Sequence, residues 1–332
     1  MMRQDKADYP AIKPLESKIS RPFWSVMIPT MERPEYLKLA LQSVLDQKIP
    51  AEEMQIEVIG DDITSLNTQR MVEEMGSGRV SFCRQRGRKS QSEQWTACME
   101  RAEGSWVHIF HDDDTLQPEF YKRYENFIKT NPETLMVFSR ANEVNKKGKV
   151  IRLFQYPPEN ERSGIVRNAL RHLLASNYII ASSAVVRREV YERIGGPDLS
   201  LHYALDWELF VRITASGPIG YIHEPCIDYR VHDETVSSDF IRSGLSVNDN
   251  IRIAKRHLCK LPEELRSETW KEFRRRAARR SLHQGREQLR SGFYKGAFRH
   301  AWYSFWFEPS RKALALWGKT MLRIFGVKWK TE

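Results

Sequence analysis

Cysteine is scarce in this chain: four in 332 residues (Cys83, Cys98, Cys226, Cys259), none at a CxxC spacing. That excludes a disulfide scaffold and a zinc ribbon, and suits a reducing compartment. No stretch approaches the roughly 18 uninterrupted apolar residues of a spanning helix, and the opening MMRQDKADYPAIKPLESK lacks the apolar centre of a secretory signal. No GxGxxG follows the first predicted strand, which removes the fingerprint of a dinucleotide-dependent oxidoreductase. Internal repeats and low-complexity tracts are also missing. What remains is an ordinary globular composition, 41% hydrophobic and 29% charged, with enough apolar residues for a buried core. The expectation is a cytoplasmic protein, soluble or held peripherally at the inner face of the cell membrane.

The net charge of +10 is unevenly spread. Residues 241–332 carry 22 Lys and Arg against 8 Asp and Glu, a net of +14, which leaves −4 for the preceding 240 residues. The body therefore has no electrostatic footprint for nucleic acid, and the last quarter either meets an anionic partner or stays solvated. Three domains follow from these shifts in texture: a loose polar arm over 1–21, a folded body over 22–240, and a basic, aromatic-rich helical tail over 241–332.

Within the body, apolar runs of strand length alternate with helical periodicity. FWSVMI (23–28), IEVIG (56–60), RVSF (79–82) and WVHIF (106–110) read as buried strands. Helices are predicted after Pro34, with Tyr36, Leu37, Ala40, Leu41, Val44 and Leu45 at helical spacing, and between Ser90 and Glu103. Further helices are predicted over 116–129 and 205–216, and further strands over 135–141 and 179–186. This rhythm predicts an α/β fold, a mostly parallel sheet covered by helices, whose ligands bind beyond the carboxyl ends of the strands.

Acids collect at those ends. His111-Asp112-Asp113-Asp114 directly follows WVHIF, and Asp61-Asp62 follows IEVIG. Adjacent carboxylates repel one another unless a cation or hydrogen-bond donors compensate. Oxygen ligands of this hardness suit Mg²⁺ or Mn²⁺, which in turn suits a bound diphosphate. Solvated loop acids and helix caps are the plainer alternative for both groups.

Three segments resemble family 2 glycosyltransferases: SVMIPTMERPEYLKLALQSVLDQ at the start, GSWVHIFHDDDTLQPEF in the middle, and GPDLSLHYALDWELFVRITASGPIGYIHEPCIDYRVHDETVS further on. The likeness runs from about Ser25 to Ser238. It implies the nucleotide-diphospho-sugar transferase fold, known as GT-A, and transfer of a sugar from a nucleotide-diphospho-sugar, UDP-linked in the first instance. The acceptor implied is a hydroxyl of a surface glycan or a lipid-linked glycan precursor, and the transfer inverts the anomeric centre.

The resemblance also assigns residues. Thr30 and Glu32 fall in the nucleotide pocket, Asp61 against the base, and Arg88 in a stretch that reaches the nucleotide. Asp112 opens the acidic triplet, Asp113 faces ribose or metal, and Asp114 holds the metal, Mn²⁺ or Mg²⁺. Asp206 is the catalytic base, with a first-turn helix acid as the alternative. His232 adds a metal or phosphate contact, or is an ordinary interior histidine. Trp207 is an acceptor platform or core. Three positions depart from the family pattern: Asp62-Ile63-Thr64 replaces Asp-Gly-Ser, Gln94 replaces Asn, and Leu205-Asp206 replaces an acidic pair. Two rival functions remain. A degenerate, non-catalytic domain acting as a membrane-bound scaffold or glycan-binding module is opposed by intact Asp114 and Asp206. A sugar nucleotidyltransferase is opposed by PTMERPEY, which has no glycine-rich basic loop.

The tail holds its own pattern. AFRHAWYSFWF packs six aromatics into eleven residues. In the predicted helix over 311–330, Lys312, Lys319, Arg323 and Lys330 align on one face, with Leu314, Trp317, Met321, Ile324 and Phe325 opposite. A basic face beside an aromatic apolar one describes an interfacial helix, with an anionic membrane as partner. Packing of the apolar stripe on the rest of the protein is the alternative.

Overall fold

The computed structural model describes residues 7–16, 20–154, 160–232 and 236–325. It divides into two compact units. The first comprises 1–169, 178–200 and 205–231; the second comprises 170–177, 201–204 and 232–332.

The first unit is built on one ten-stranded sheet. Its elements run β1 (Trp24–Pro29), α1 (Pro34–Leu45), β2 (Met54–Gly60), α2 (Leu66–Gly76), β3 (Ser81–Arg84), α3 (Gln91–Arg101) and β4 (Trp106–Ile109). They continue through β5 (Thr115–Leu116), α4 (Phe120–Thr130), β6 (Met136–Val144), β7 (Val150–Leu153), β8 (Gly164–Ile165), α5 (Ala169–Ala175), β9 (Val185–Arg187), α6 (Arg188–Ile194), α7 (Leu205–Thr214) and β10 (Ile219–Arg230). The strand order is β3-β2-β1-β4-β9-β6-β10-β5, with β7 on β6 and β8 on β10. β3, β2, β1 and β4 pair in parallel, as do β6 and β10, while β9 runs antiparallel between β4 and β6. The sheet is thus mostly parallel, and the carboxyl ends of β2, β1 and β4 lie side by side.

Local chemistry explains the elements. β1 is buried along its whole length, and Leu37, Ala40, Leu41 and Val44 of α1 pack on the same core. Pro34 opens α1 where its missing N–H leaves no bond unmade. Ser90 and Glu93 form a reciprocal capping box at the start of α3, with Ser90 N donating to Glu93 Oε2 at 2.8 Å. Beneath β4, the imidazole of His108 stacks on Phe120 at 5.0 Å, its Nδ1 lies 2.9 Å from the Tyr121 hydroxyl and its Nε2 lies 2.8 Å from the Ser182 carbonyl. Burial pushes His108 down to about 4, so near neutrality this ring is uncharged and packs as an aromatic.

Several elements depart from the sequence expectation. A helix, α2, intervenes between β2 and β3, capped by Ser65, whose hydroxyl accepts from Thr68 N at 3.1 Å. Leu116 belongs to no helix: it pairs with Ile227 in the short β5, and α4 starts only at Phe120. The expected strand over 179–186 is a 3₁₀ turn at Ala181–Ser183 followed by the three-residue β9. The arm expected to be loose is pinned over residues 7–16. Ile12 is buried, Gly196 N donates to Pro10 O at 2.8 Å, and the Tyr9 hydroxyl donates to Glu208 at 2.9 Å. Glu208 in turn pairs with Arg212 inside α7, an acid held in the fold by a full set of partners.

The second unit is helical: α8 (Val236–Ser243), α9 (Ser246–His257), α10 (Glu263–Arg290), α11 (Tyr294–Phe307) and α12 (Arg311–Ile324). Asp249 Oδ2 accepts from His202 N and Tyr203 N, and Arg280 donates to Ser176 at 2.5 Å, which explains why 170–177 and 201–204 group with these helices. α12 packs through Ala313, Leu316 and Thr320, so the predicted apolar stripe splits. Trp317 stacks near Phe298 and Trp302, whereas Leu314, Ile324 and Phe325 stay exposed. Lys330 lies outside the described residues. Among the described residues no helix is long and apolar enough to cross a membrane.

Candidate active site

Thr30 directly follows β1, Asp61 directly follows β2, and β4 leads into Asp112, Asp113 and Asp114, so the parallel register alone gathers these residues at one edge. Asp112 is 1% exposed and fastens two of the loops together. It accepts from the Thr30 hydroxyl at 2.8 Å and Met31 N at 2.9 Å, and it pairs with Arg33. Arg33 spans the acids, its other nitrogen lying 2.6 Å from Asp113 Oδ2. Both acids hold its guanidinium in the charged form against the cost of burial. For Asp112, burial pushes the carboxyl above its ordinary range, opposed mainly by Arg33.

From the far side of the sheet Arg230, the last residue of β10, closes on the same loop. Its backbone N–H donates to Asp114 Oδ1 at 2.8 Å and its Nε donates to the Asp113 carbonyl at 2.9 Å. The guanidinium also donates to the Asn145 carbonyl at 3.1 Å and sits over Tyr36, 5.1 Å from the ring centre. Asp114 is fully buried, and burial, reinforced by Asp113, raises its carboxyl well above the ordinary range. The Ser182 hydroxyl is near enough to favour the carboxylate, yet neither Ser182 Oγ nor Asp114 Oδ2 completes a hydrogen bond.

His111 Nε2 is likewise buried without a partner. Ligand atoms of His111, Asp113 and Asp114 lie within 4.8 Å of one another, the spread a single small cation can bridge. Within this group a buried carboxylate oxygen and a buried imidazole nitrogen lack a hydrogen-bond partner among the described residues, which fits a divalent cation by donor type and by what they leave unsatisfied.

The second acidic turn is built differently. Asp61 Oδ1 accepts from Ile63 N at 3.0 Å and Oδ2 accepts from Lys89 N at 2.9 Å, which ties the end of β2 to the loop before α3. Asp62 accepts from Gly87 N at 2.7 Å in the same loop. The turn needs no glycine at Ile63, because no residue from 61 to 64 has a positive φ. Gly60 just before it is required: a Cβ there would lie 2.6 Å from Thr64 Oγ1 and 2.9 Å from the Phe82 ring. Glu32, itself in the left-handed region at φ 57°, accepts from Ser65 N at 2.9 Å and from the Thr68 hydroxyl at 3.0 Å, and so steadies the start of α2. Gln94 reaches the Thr30 carbonyl at 3.5 Å.

The structure thus brings together Thr30, Glu32, Asp61, Asp112, Asp113 and Asp114, and leaves Arg88 exposed on the 85–90 loop. Asp206 is half-buried in the first turn of α7. Trp207 is core, 1% exposed. His232 is buried and belongs to the second unit. Sequence reasoning missed His111 as a ligand although it opens the HDDD run. It also missed Arg33, the only cation in the loop between β1 and α1.

The chain and its fold have counterparts among known proteins. Residues 25–195 match the family model for glycosyl transferase family 2. The chain belongs to that family. Chondroitin synthase of Escherichia coli is 22% identical to it over 219 residues, 65% of this chain and 30% of that enzyme, so the chain spans less than a third of that relative. Among solved structures, S. aureus TarS 1–349 superposes with a TM-score of 0.63 at 14% identity, with 93% of each chain covered. The same fragment in complex with UDP-GlcNAc gives 0.64 at 15%. The mannosyltransferase PcManGT from Pyrobaculum calidifontis, in complex with GDP-Man and Mn²⁺, gives 0.54 at 16% identity over 97% of this chain and 84% of that one. The fold is GT-A, and the strand-end acids of this family 2 transferase sit where a parallel α/β sheet binds its ligands.

Proposed function

We propose that this transferase moves a sugar, with inversion, from a nucleotide-diphospho-sugar, UDP-linked in the first instance, to a hydroxyl of a surface glycan or a lipid-linked glycan precursor. The observation that carries the reading is the convergence of Asp113, Asp114 and His111 at the carboxyl edge of the sheet, with Asp114 Oδ2 and His111 Nε2 buried and unpartnered. Mn²⁺ or Mg²⁺ held by those three side chains would neutralise charge on the departing diphosphate, which otherwise leaves poorly. TarS has been crystallised with UDP and with UDP-GlcNAc, and PcManGT with GDP-Man and Mn²⁺, in keeping with a nucleotide-sugar donor.

The chain's own residues divide the remaining work. Thr30, Glu32 and Asp61 line the edge that would take the nucleotide, and Arg88 on its exposed loop is free of the sheet and able to approach a phosphate. Asp112 acts through Thr30, Met31 and Arg33, as a clamp that fixes the loops. Asp206 serves as general base: its carboxylate takes the proton from the acceptor hydroxyl as that oxygen bonds to the anomeric carbon and the bond to the diphosphate breaks, the electron pair leaving with the phosphate oxygen.

The experiment is a panel of sugar nucleotides tested with Mn²⁺ for slow donor hydrolysis and for protection against melting. One or more UDP-sugars should raise the melting temperature and release UDP. Protection without any turnover, even with glycan acceptors added, would favour a non-catalytic glycan-binding module.

The reading also places the protein at an anionic membrane surface through its tail. Trp302 on α11, Leu314 and Ile324 on α12, and Phe325 just after it are each 40% or more exposed, in a segment rich in Lys and Arg. A basic residue near an anionic leaflet contributes on the order of 1 kcal/mol, so a few are enough for reversible docking. Full-length protein should float with vesicles containing phosphatidylglycerol and not with pure phosphatidylcholine. Flotation should weaken as salt shortens the screening length from about 10 Å at 0.1 M to about 3 Å at 1 M. Equal behaviour on both vesicles returns the tail to a packing role.

A further inference from the structure

Outside the acidic edge, the second unit carries a cleft of about 510 Å³ lined by Lys255, Leu258, Trp270, Arg274 and Trp306. Its volume is within the range of about 300–1,000 Å³ typical of small-ligand sites. The lining brings together two indoles and two cations, and no carboxylate.

The cations are already arranged. Lys255 Nζ lies 6.0 Å from the centre of the Trp270 ring, so its ammonium rests over an indole face. Arg274 donates to the Trp306 and Phe307 carbonyls at 3.5 and 2.5 Å, satisfying the end of α11 and fixing the Trp306 wall against α10. Trp270 is backed by Phe273 in a stack at 5.1 Å, and Trp306 meets Phe307 edge-on at 5.1 Å. Trp306 is nonetheless 46% exposed. An indole face open to solvent at the edge of a cationic cleft is available to stack on a ligand ring.

We propose that this cleft is a second binding site, for an acidic saccharide. The apolar C–H face of a sugar ring lies on Trp270 or Trp306, and the anionic group of that sugar or its neighbour is taken by Lys255 and Arg274. A concave site suits a chain of sugar rings better than a flat bilayer, and the exposed Trp302, Leu314 and Phe325 that a bilayer would engage do not line the cleft. The inference rests on the sugar-transfer reading, which makes a saccharide the expected partner.

The test uses full-length protein without donor, so that it is independent of transfer. Calorimetric titration with a galacturonate hexasaccharide should show saturable binding, and neutral maltohexaose should bind at least about tenfold more weakly. Trp306→Ala and Lys255→Ala, both at exposed side chains, should each weaken the acidic saccharide roughly tenfold. Arg286→Ala removes the same charge from an exposed site on α10 outside the cleft and should change binding less than twofold. If all three variants lose affinity alike, the attraction is diffuse charge and the proposal fails. It fails equally if maltohexaose binds as well as the galacturonate, or if neither binds. Vesicles of phosphatidylglycerol or a uridine hexanucleotide engaging Trp306 in preference to the galacturonate would also overturn it. Failure of the unaltered protein to bind the galacturonate while it still transfers sugar sinks this inference alone, whereas absence of any transfer sinks the reading beneath it.

Discussion

Asp206→Asn should leave the protein folded and able to bind its donor while lowering sugar transfer roughly 10²- to 10⁴-fold, the loss expected when a general base disappears from the transition state. The substitution keeps size and hydrogen-bonding capacity, and Asp206 is half-buried at the helix start rather than inside the core. The neighbouring acid Glu208 cannot replace it, because Glu208 is fully buried and engaged with Arg212 and Tyr9. The measurement is transfer under saturating donor and acceptor, with circular dichroism and donor calorimetry as controls. Near-normal transfer would reduce Asp206 to an acid favoured by the dipole of α7, a contribution of about 0.3–1 kcal/mol to stability and nothing to chemistry.

How far this edge could be read from sequence depends on the range of the interactions. β1, β2 and β4 are legible as apolar runs ending in polar residues, and parallel pairing does the rest, so Asp61 and Asp112–Asp114 come together from local pattern, while Thr30 enters through the family resemblance. α2 was invisible because LNTQRMVEEMG buries only Thr68, Val72 and Gly76, too thin an apolar stripe to show helical periodicity. β10 was hidden by Glu224 and Pro225, where its pairing with β6 shifts register. At the site, the hydrogen bonds of Arg33 to Asp112 and Asp113 cross about eighty residues, and those of Arg230 to Asp113 and Asp114 cross well over a hundred. No spacing rule reports pairs so distant. His111 is legible as a residue type, but its candidacy as a ligand follows from Nε2 being left without a hydrogen bond in a group with Asp113 and Asp114, which only the packing of the loop decides.

The cation site carries the central claim, and removing it should have the other large effect. Asp114 is the deepest of the three proposed ligands and has a carboxylate oxygen that completes no hydrogen bond among the described residues. A diphosphate brought to Asp113 and Asp114 without a cation meets like charge in a poorly solvated place, so donor affinity and cation occupancy should rise and fall together. The most direct test is calorimetric titration of UDP-GlcNAc, and of further UDP-sugars should that one be silent, in Mn²⁺, in chelator, and with the Asp114→Ala protein in Mn²⁺. The account predicts saturable binding in Mn²⁺, and a loss of at least about tenfold, or 1.4 kcal/mol, both in chelator and in the variant. Undiminished donor binding in chelator and in Asp114→Ala alike would contradict it.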